Sequence, residues 1–398
     1  MLNINNDIIQ NIFKEIPIEL FSVIIGYLLH LFYDFSKSYT NRIKLRNELK
    51  KLKKKKSMVR VIDIANGDPD FAKENIFLKT IDLFGHTKSL FIDLDEKHKK
   101  NLIHIEKKKG YREFQKSRFH KDTSFDGSDS FEELAEITKI KELPQLIEKH
   151  RKIVSEKFIN HKEGILFNSK KYGIFDINFT RFGNDERPGV EIYLFETDYF
   201  THRVFRSIYQ ELKEKNHEIL KVTHNNFLQY KPFLTSFGIN TLLITHGPKG
   251  KEIVLSKRST RVHSKESLYH ITMNEGLSIT DRDPFGKIDL ELCFKRGLLE
   301  ELGITEQLYR YSVKAAFYDF FLDLNNFEIG ISSVLEMQLN FEKDILPLIA
   351  RDKTLESEDF VTLPLKSKEI KSFLKKNNFI PHGIYVLERV LLRENIKL

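Results

Sequence analysis

The chain has 398 residues, 40% of them apolar, with a formal net charge of +8, one cysteine and no tryptophan. That length accommodates two modest domains or one domain with a long extension, and the apolar share suffices for a buried core. A single cysteine, Cys293, excludes an internal disulfide and a multi-cysteine zinc site, and predicts a reduced, cytoplasmic setting for the folded part. The positive charge can attract phosphates or an anionic leaflet, but most of it reads as a solvated lysine-rich surface.

Residues 1–36 contain an apolar run. Leu20 to Tyr33 carries no full charge, somewhat short of the ~20 residues a perpendicular membrane span needs. Ile16 and Pro17 lengthen it, and Glu19 can snorkel. A dense basic segment follows from Lys37 to Arg60. Apolar residues followed by Lys and Arg predict a single-pass anchor in the cell membrane with its C-terminal side cytoplasmic, and the lysines favour an anionic leaflet. The run has neither the basic flank nor the cleavage site of a signal peptide. The alternative is an amphipathic helix packed on another subunit, which would make the protein an oligomer.

Residues 37–57 read as a basic helical linker and residues 58–229 as an α+β region of unassigned role. Within the latter, strands are predicted at 58–64 and 89–93, a helix at 71–84, an exposed loop at 96–129 and a helix at 132–158. Residues 164–200 read as β structure with a loop at 181–189, and 201–215 as a helix. The loop at 97–121 interleaves Tyr111, Phe114 and Phe119 with basic residues. Such interleaving can hold single-stranded nucleic acid, but no recognisable binding fold accompanies it, so nucleic acid is not assigned as a partner.

In residues 230–398, Gly238–Thr245 and Glu252–Lys257 read as a β-hairpin around Gly247-Pro248-Lys249-Gly250. Ile271–Leu277 is a further strand, followed by a loop through Gly286 and a helix from Asp289 to Leu302. Asp289 suits its N-cap and Gly303 its C-terminal stop. Leu290, Phe294, Leu298 and Leu302 form its buried stripe, and Cys293 joins the core. Arg296 and Glu300, four residues apart, can pair on one face. Glu300 and Glu301 are neighbouring carboxylates that suit a hard divalent ion, and such an ion can bridge phosphate oxygens and activate a water. His246, His263 and His270 read as surface or packing residues.

The stretch Arg296-Gly297-Leu298-Leu299-Glu300-Glu301-Leu302-Gly303-Ile304 resembles the core of a Nudix box. The resemblance covers roughly Phe233 to Leu398 and implies an α/β fold: a Nudix-like α/β/α sandwich with a mixed sheet, preceded by the α+β region. It implies hydrolysis of a nucleoside diphosphate-linked compound with Mg2+ or Mn2+ held by Glu300 and Glu301, with Glu358 from the later acidic segment as a further ligand. Lys257 and Arg258 would bind a phosphate from a neighbouring strand. Arg296, Gly276 and Gly303 would have structural roles, Gly276 as the upstream glycine after a longer loop. Two positions depart from the pattern. Gly297 stands where the family's first box glutamate would be, and Ile288 where an upstream glutamate would be. Gly297 removes a ligand and weakens the helix by about 1 kcal/mol against Ala. Asp289 cannot substitute, since eight helical residues separate it from Gly297 by about 12 Å. A nucleotide-binding sensor with weakened hydrolysis, signalling to the membrane segment, is the alternative to an enzyme.

Overall fold

The computed structural model describes residues 25–30, 32, 33, 36, 40, 43, 60–65, 76–82, 89–98, 130–160, 168–248, 250–258, 268–353 and 357–396. The chain divides into two compact units, Met1–Lys54 and Lys55–Leu398. In the first, the described residues between 25 and 43 are helical. Tyr27, Leu28, Leu29, Phe32 and Tyr33 are exposed. The Ser36 and Thr40 hydroxyls donate to the carbonyls of Tyr33 and Ser36 at 2.9 and 2.7 Å. Among the described residues no helix is long and apolar enough to cross a membrane. Most of the proposed anchor, residues 16–24, 31, 34 and 35, lies outside the described residues.

The second unit begins with strand β1 (Val61–Asp63) and strand β2 (Phe77–Asp82). The helix predicted at 71–84 is therefore corrected where it is described: 77–82 is a strand, paired in parallel with residues 189–194. A neighbouring strand decided the conformation of a sequence with no strong local preference. Helices α1 (Phe131–Thr138) and α2 (Leu143–Asn160) replace the single predicted helix, broken where Lys139 takes a left-handed φ of 58°. Strands β3 (Lys170–Phe182) and β4 (Arg187–Asp198) form a long hairpin that leaves only residues 183–186 of the expected loop as a turn. With β2 they make a three-stranded sheet in the order β2-β4-β3. Asp198 caps helix α3 (Tyr199–Glu214) by accepting from the Thr201 amide at 2.8 Å.

The hairpin of β5 (Phe237–Gly247) and β6 (Gly250–Arg258) forms as predicted. The next strand is split into β7 (Tyr269–Ile271) on β6 and β8 (Met273–Gly276) on β5. Helix α4 (Leu290–Gly297) leads to β9 (Ser312–Asp323), β10 (Glu328–Met337) and β11 (Ser357–Pro364). The chain then runs through α5 (Ser367–Lys376) and α6 (Pro381–Arg393). The large sheet has the path β1-β9-β10-β5-β6-β11. β10 is parallel to β5, and the other described pairs of this sheet are antiparallel. The architecture is mixed α/β with a mixed sheet.

β5 is buried on both faces, as a continuous apolar run in a covered strand should be. Ile239 and Leu243 join a core with Leu290, Phe294, Leu298 and Leu302 of the α4 segment. Leu242 and Ile244 join a second core with Val386, Leu387, Val390 and Leu391 of α6. α4 and α6 thus cover opposite faces. The first core continues through α3: Phe205 meets Phe233 at 5.1 Å, and Phe233 meets Phe327 at 6.1 Å. The α3 side chains Tyr209 and Gln210 donate to the carbonyls of Leu324 and Asn325 in the β9–β10 turn. The domain border expected at residue 230 falls inside this unit.

Gly303 ends the α4 segment with φ of 76°, and its amide donates to the Leu299 carbonyl at 3.0 Å. A Cβ there would lie 2.8 Å from both the Ile349 carbonyl oxygen and the Leu348 Cβ. Gly303→Ala should therefore lower stability by about 1–3 kcal/mol through left-handed strain and overpacking, measurable by urea denaturation.

Candidate functional site

The α4 segment starts as its sequence predicts. The Asp289 carboxylate accepts from the Glu291 amide at 2.8 Å, and Leu290, Cys293, Phe294, Leu298 and Leu302 are buried. Burial holds the Cys293 thiol well above its usual pKa, so it is a packing residue. From Leu298 to Leu302 the α-helix widens into one π-helical turn. Such turns add a residue to the helical repeat and re-aim the side chains they carry. Glu300 and Glu301 both lie in it.

The two carboxylates have different surroundings. Glu301 is 4% exposed, and one of its oxygens accepts from the Asn274 amide on β8 at 3.2 Å. Glu300 accepts from Arg296 Nη1 at 3.3 Å, the i,i+4 pair read in the sequence, and forms an ion pair with Arg351 Nη2 at 2.8 Å.

Arg296 is the centre of the arrangement. Its Nε and Nη2 grip Asp281 in a two-pronged bond at 2.7 and 2.9 Å. Nη1 donates to Glu275 at 2.8 Å, and Nη2 to the Gly276 carbonyl at 2.7 Å. Asp281, 2% exposed, also accepts from the Ser278 amide at 2.8 Å. Its own carbonyl accepts from the Asp289 amide at 2.9 Å, which ties the loop to the start of α4. Burial works against the guanidinium charge, but the Asp281 hydrogen bonds and the Glu275 charge outweigh it and raise the Arg296 pKa. Asp281 and Arg351 were not singled out in the sequence, because their partners lie fifteen and fifty-one positions away with no motif linking them.

Gly297 is explained by what touches it. A Cβ at this position would lie 2.7 Å from the Glu275 Cβ and 2.9 Å from both the Glu275 Cγ and the Met273 sulfur. The helix packs here directly on β8, and Glu275 fills the space a side chain at 297 would need. Glu275 is pushed up to about 7, first by burial and then by the neighbouring Glu300 and Asp281 charges, against the pull of Arg296. Three carboxylates around one guanidinium leave an excess of negative charge, and protonation of one relieves it.

Gly276 supplies a carbonyl to Arg296 and Gly303 the left-handed cap. Lys257 and Arg258 lie at the end of β6, where Lys257 pairs with Asp359 and Arg258 with Ser357 of β11. Glu358 belongs to β11, but its side chain lies outside the described residues. Among the described residues no three His, Cys, Asp or Glu side chains are arranged to hold a metal ion. Both arginine contacts of Glu300 fall on its Oε2, and the Asn274 amide contact of Glu301 falls on its Oε1. Among the described residues Glu275, Asp281 and Glu300 thus form a cluster paired with arginine.

Two outcomes follow. In an open helix Gly→Ala gains about 1 kcal/mol. Here Gly297→Ala should instead lose about 1–3 kcal/mol by overpacking against Glu275 and Met273, read as a fall in the thermal midpoint. For Glu275, a pKa raised above its ordinary 4.5 means the folded state binds its proton more tightly than the unfolded state. The stability this contributes is complete at low pH and is lost as pH rises toward about 7. Glu275→Gln should flatten the decline in stability of the wild type between about pH 4.5 and 7, as followed by denaturation at several pH values.

No family model matches this chain, and no curated protein matches it. Among solved structures, part of it is similar to the NUDIX domain of Shewanella oneidensis NrtR in complex with ADP ribose. That match has 15% identity and a TM-score of 0.26, covering 40% of this chain and 87% of the other. A bifunctional NMN adenylyltransferase/ADP ribose pyrophosphatase from Francisella tularensis, with AMP and a Mn ion, overlaps at 18% identity and a TM-score of 0.30. The overlap covers 47% of this chain and 49% of that one. A C. elegans Ap4A hydrolase in a binary complex overlaps at 12% identity and a TM-score of 0.24, covering 40% of this chain and 99% of that one. These overlaps are partial and weak.

Proposed function

We propose that residues 230–398 form a Nudix-like nucleotide-binding module whose hydrolytic chemistry is weakened, and that it acts as a sensor. The observation that carries this reading is the Arg296 cluster. The guanidinium holds Glu275, Asp281 and Glu300 at 2.7 to 3.3 Å, and Arg351 adds a second positive charge to Glu300. Acids neutralised in this way shape a rigid loop-helix junction and are poorly disposed to take up a cation. The sequence run Arg296–Ile304 and the sheet covered by α4 and α6 on its two faces support the Nudix-like part of the proposal. In this reading the ligand is a nucleoside diphosphate derivative, and the N-terminal apolar run with its basic flank tethers the module at the cytoplasmic side of the cell membrane.

Glu275 favours a second reading. Its side chain fills the space beside Gly297, so a carboxylate reaches the helix from β8 although the helix itself carries none there. With a pKa near 7 it is suited to proton transfer at neutral pH. In that reading Mg2+ or Mn2+ at Glu300, Glu301 and Glu358 would supply charge neutralisation for a phosphate, and the protein would be a hydrolase.

One experiment separates the two. The full chain is titrated calorimetrically with nucleotide sugars, dinucleotides and NAD-like compounds, and product formation is followed chromatographically with Mg2+ present, with Glu301→Gln as control. The sensor reading expects binding with no turnover above the control. Mg2+-dependent turnover that Glu301→Gln abolishes would replace it with the enzyme reading.

A further inference from the structure

Strand β8 presents two chemistries. Glu275 points to the Arg296 cluster, while its neighbours Asn274 and Gly276, on the other face of the strand, line a cavity of about 210 Å³. Neither Glu300 nor Glu301 lines this space. Three glycines shape it: Gly330 of β10 stands opposite Gly238 of β5, which stands opposite Gly276 of β8. The row leaves a trough across three strands. A Cβ on Gly276 would meet nothing within 4 Å. A Cβ on Gly330 would lie 2.5 Å from the Phe321 ring and 2.7 Å from the Asn240 amide nitrogen, so its absence admits both residues to the wall.

The wall is polar and incompletely satisfied. Asn240 is 4% exposed and lines the cavity, and among the described residues no donor reaches its Oδ1. Its Nδ2 lies 3.5 Å from the Gly238 carbonyl, which orients the amide. A buried acceptor left without a donor is costly unless something arrives to supply one. The carboxylates of Glu328 and Asp323 also face the cavity, the first bonded to His202 at 3.2 Å and the second to His382 at 3.3 Å. Lys171 is the cation of the wall; it donates to Ser236 at 2.9 Å, and burial lowers it to about 8. Burial also lowers His202 to about 4, so its ring is neutral at pH 7. Arg206 pairs with Glu328 at 3.6 Å, so with Lys171 the two carboxylates are balanced by two cations, while the carboxylates and the Asn240 oxygen supply acceptors that suit a ligand rich in hydroxyl or N–H donors. Tyr199 and Phe321 also line it. The volume lies below the roughly 300–1,000 Å³ of sites for drug-sized ligands, which suits one ring and not a whole dinucleotide.

We propose that this cavity binds an uncharged, hydroxyl-bearing ring, the nucleoside end of a nucleotide derivative, and leaves phosphates outside it. The choice of a nucleoside over other hydroxylated rings rests on the proposed nucleotide-binding function. The test uses the full chain without added metal, titrated with adenosine, ADP-ribose and inorganic phosphate. Gly276→Leu fills the trough, and Asn240→Ala removes the unpartnered oxygen; circular dichroism checks that each is folded. Adenosine should bind the wild type, and either folded variant should weaken it at least tenfold. Failure of adenosine to bind at millimolar concentration overturns the proposal, as does phosphate binding that Gly276→Leu abolishes. If ADP-ribose binds and both variants leave its affinity unchanged, the cavity is not the ring site, while the module reading stands. If adenosine binds and ADP-ribose gains nothing from its phosphates, the cavity assignment stands and the module reading fails.

Discussion

A single guanidinium organises the α4 face of this protein. Arg296 binds a loop carboxylate, a strand carboxylate, a helix carboxylate and a strand carbonyl at once. The partners come from three stretches of chain, so the loop after β8, the strand itself and the widened helix end are held in one register. Arginine suits this better than lysine, because its planar fork can serve several acceptors in fixed directions. The neutralised cluster is also largely shielded from water, where removing one member would leave its partners uncompensated.

The α4 segment shows how far local pattern carries. Asp289, the four-residue leucine and phenylalanine stripe and Gly303 are local signals, and each has the expected cap or buried position. The β5–β6 hairpin was legible for the same reason, since a Gly-Pro-Lys-Gly turn and two apolar runs are contiguous. What could not be read depends on distant neighbours. Residues 77–82 become a strand because β4 offers a parallel edge. Asp281 and Arg351 reach the site only once the chain has folded back. The π-turn at Leu298–Leu302 has no sequence signature that separates it from an ordinary final helical turn.

In the candidate site the sequence shows two adjacent acids, but not what surrounds them. Glu300 and Glu301 were identified as a pair, yet one sits under two arginines and the other is buried against a backbone amide. From sequence alone Gly297 is a missing carboxylate. Its contacts show it to be a point of close approach between helix and strand, at which Glu275 occupies the gap. The cavity on the far side of β8 had no local signal. It arises from three glycines, far apart in sequence, that strand register alone aligns.

The close packing at Gly297 bears on how such a chain could change over time. Placing an acid at 297 is not one step, because the Glu275 stem already fills that volume. Position 275 would have to shrink first, and that would strip a partner from Arg296 before the new acid arrived. The two positions are interlocked, and the intermediate lies downhill in stability whichever changes first. Space at one position and charge at the other are thus a single constraint, shared between a strand and the helix packed on it.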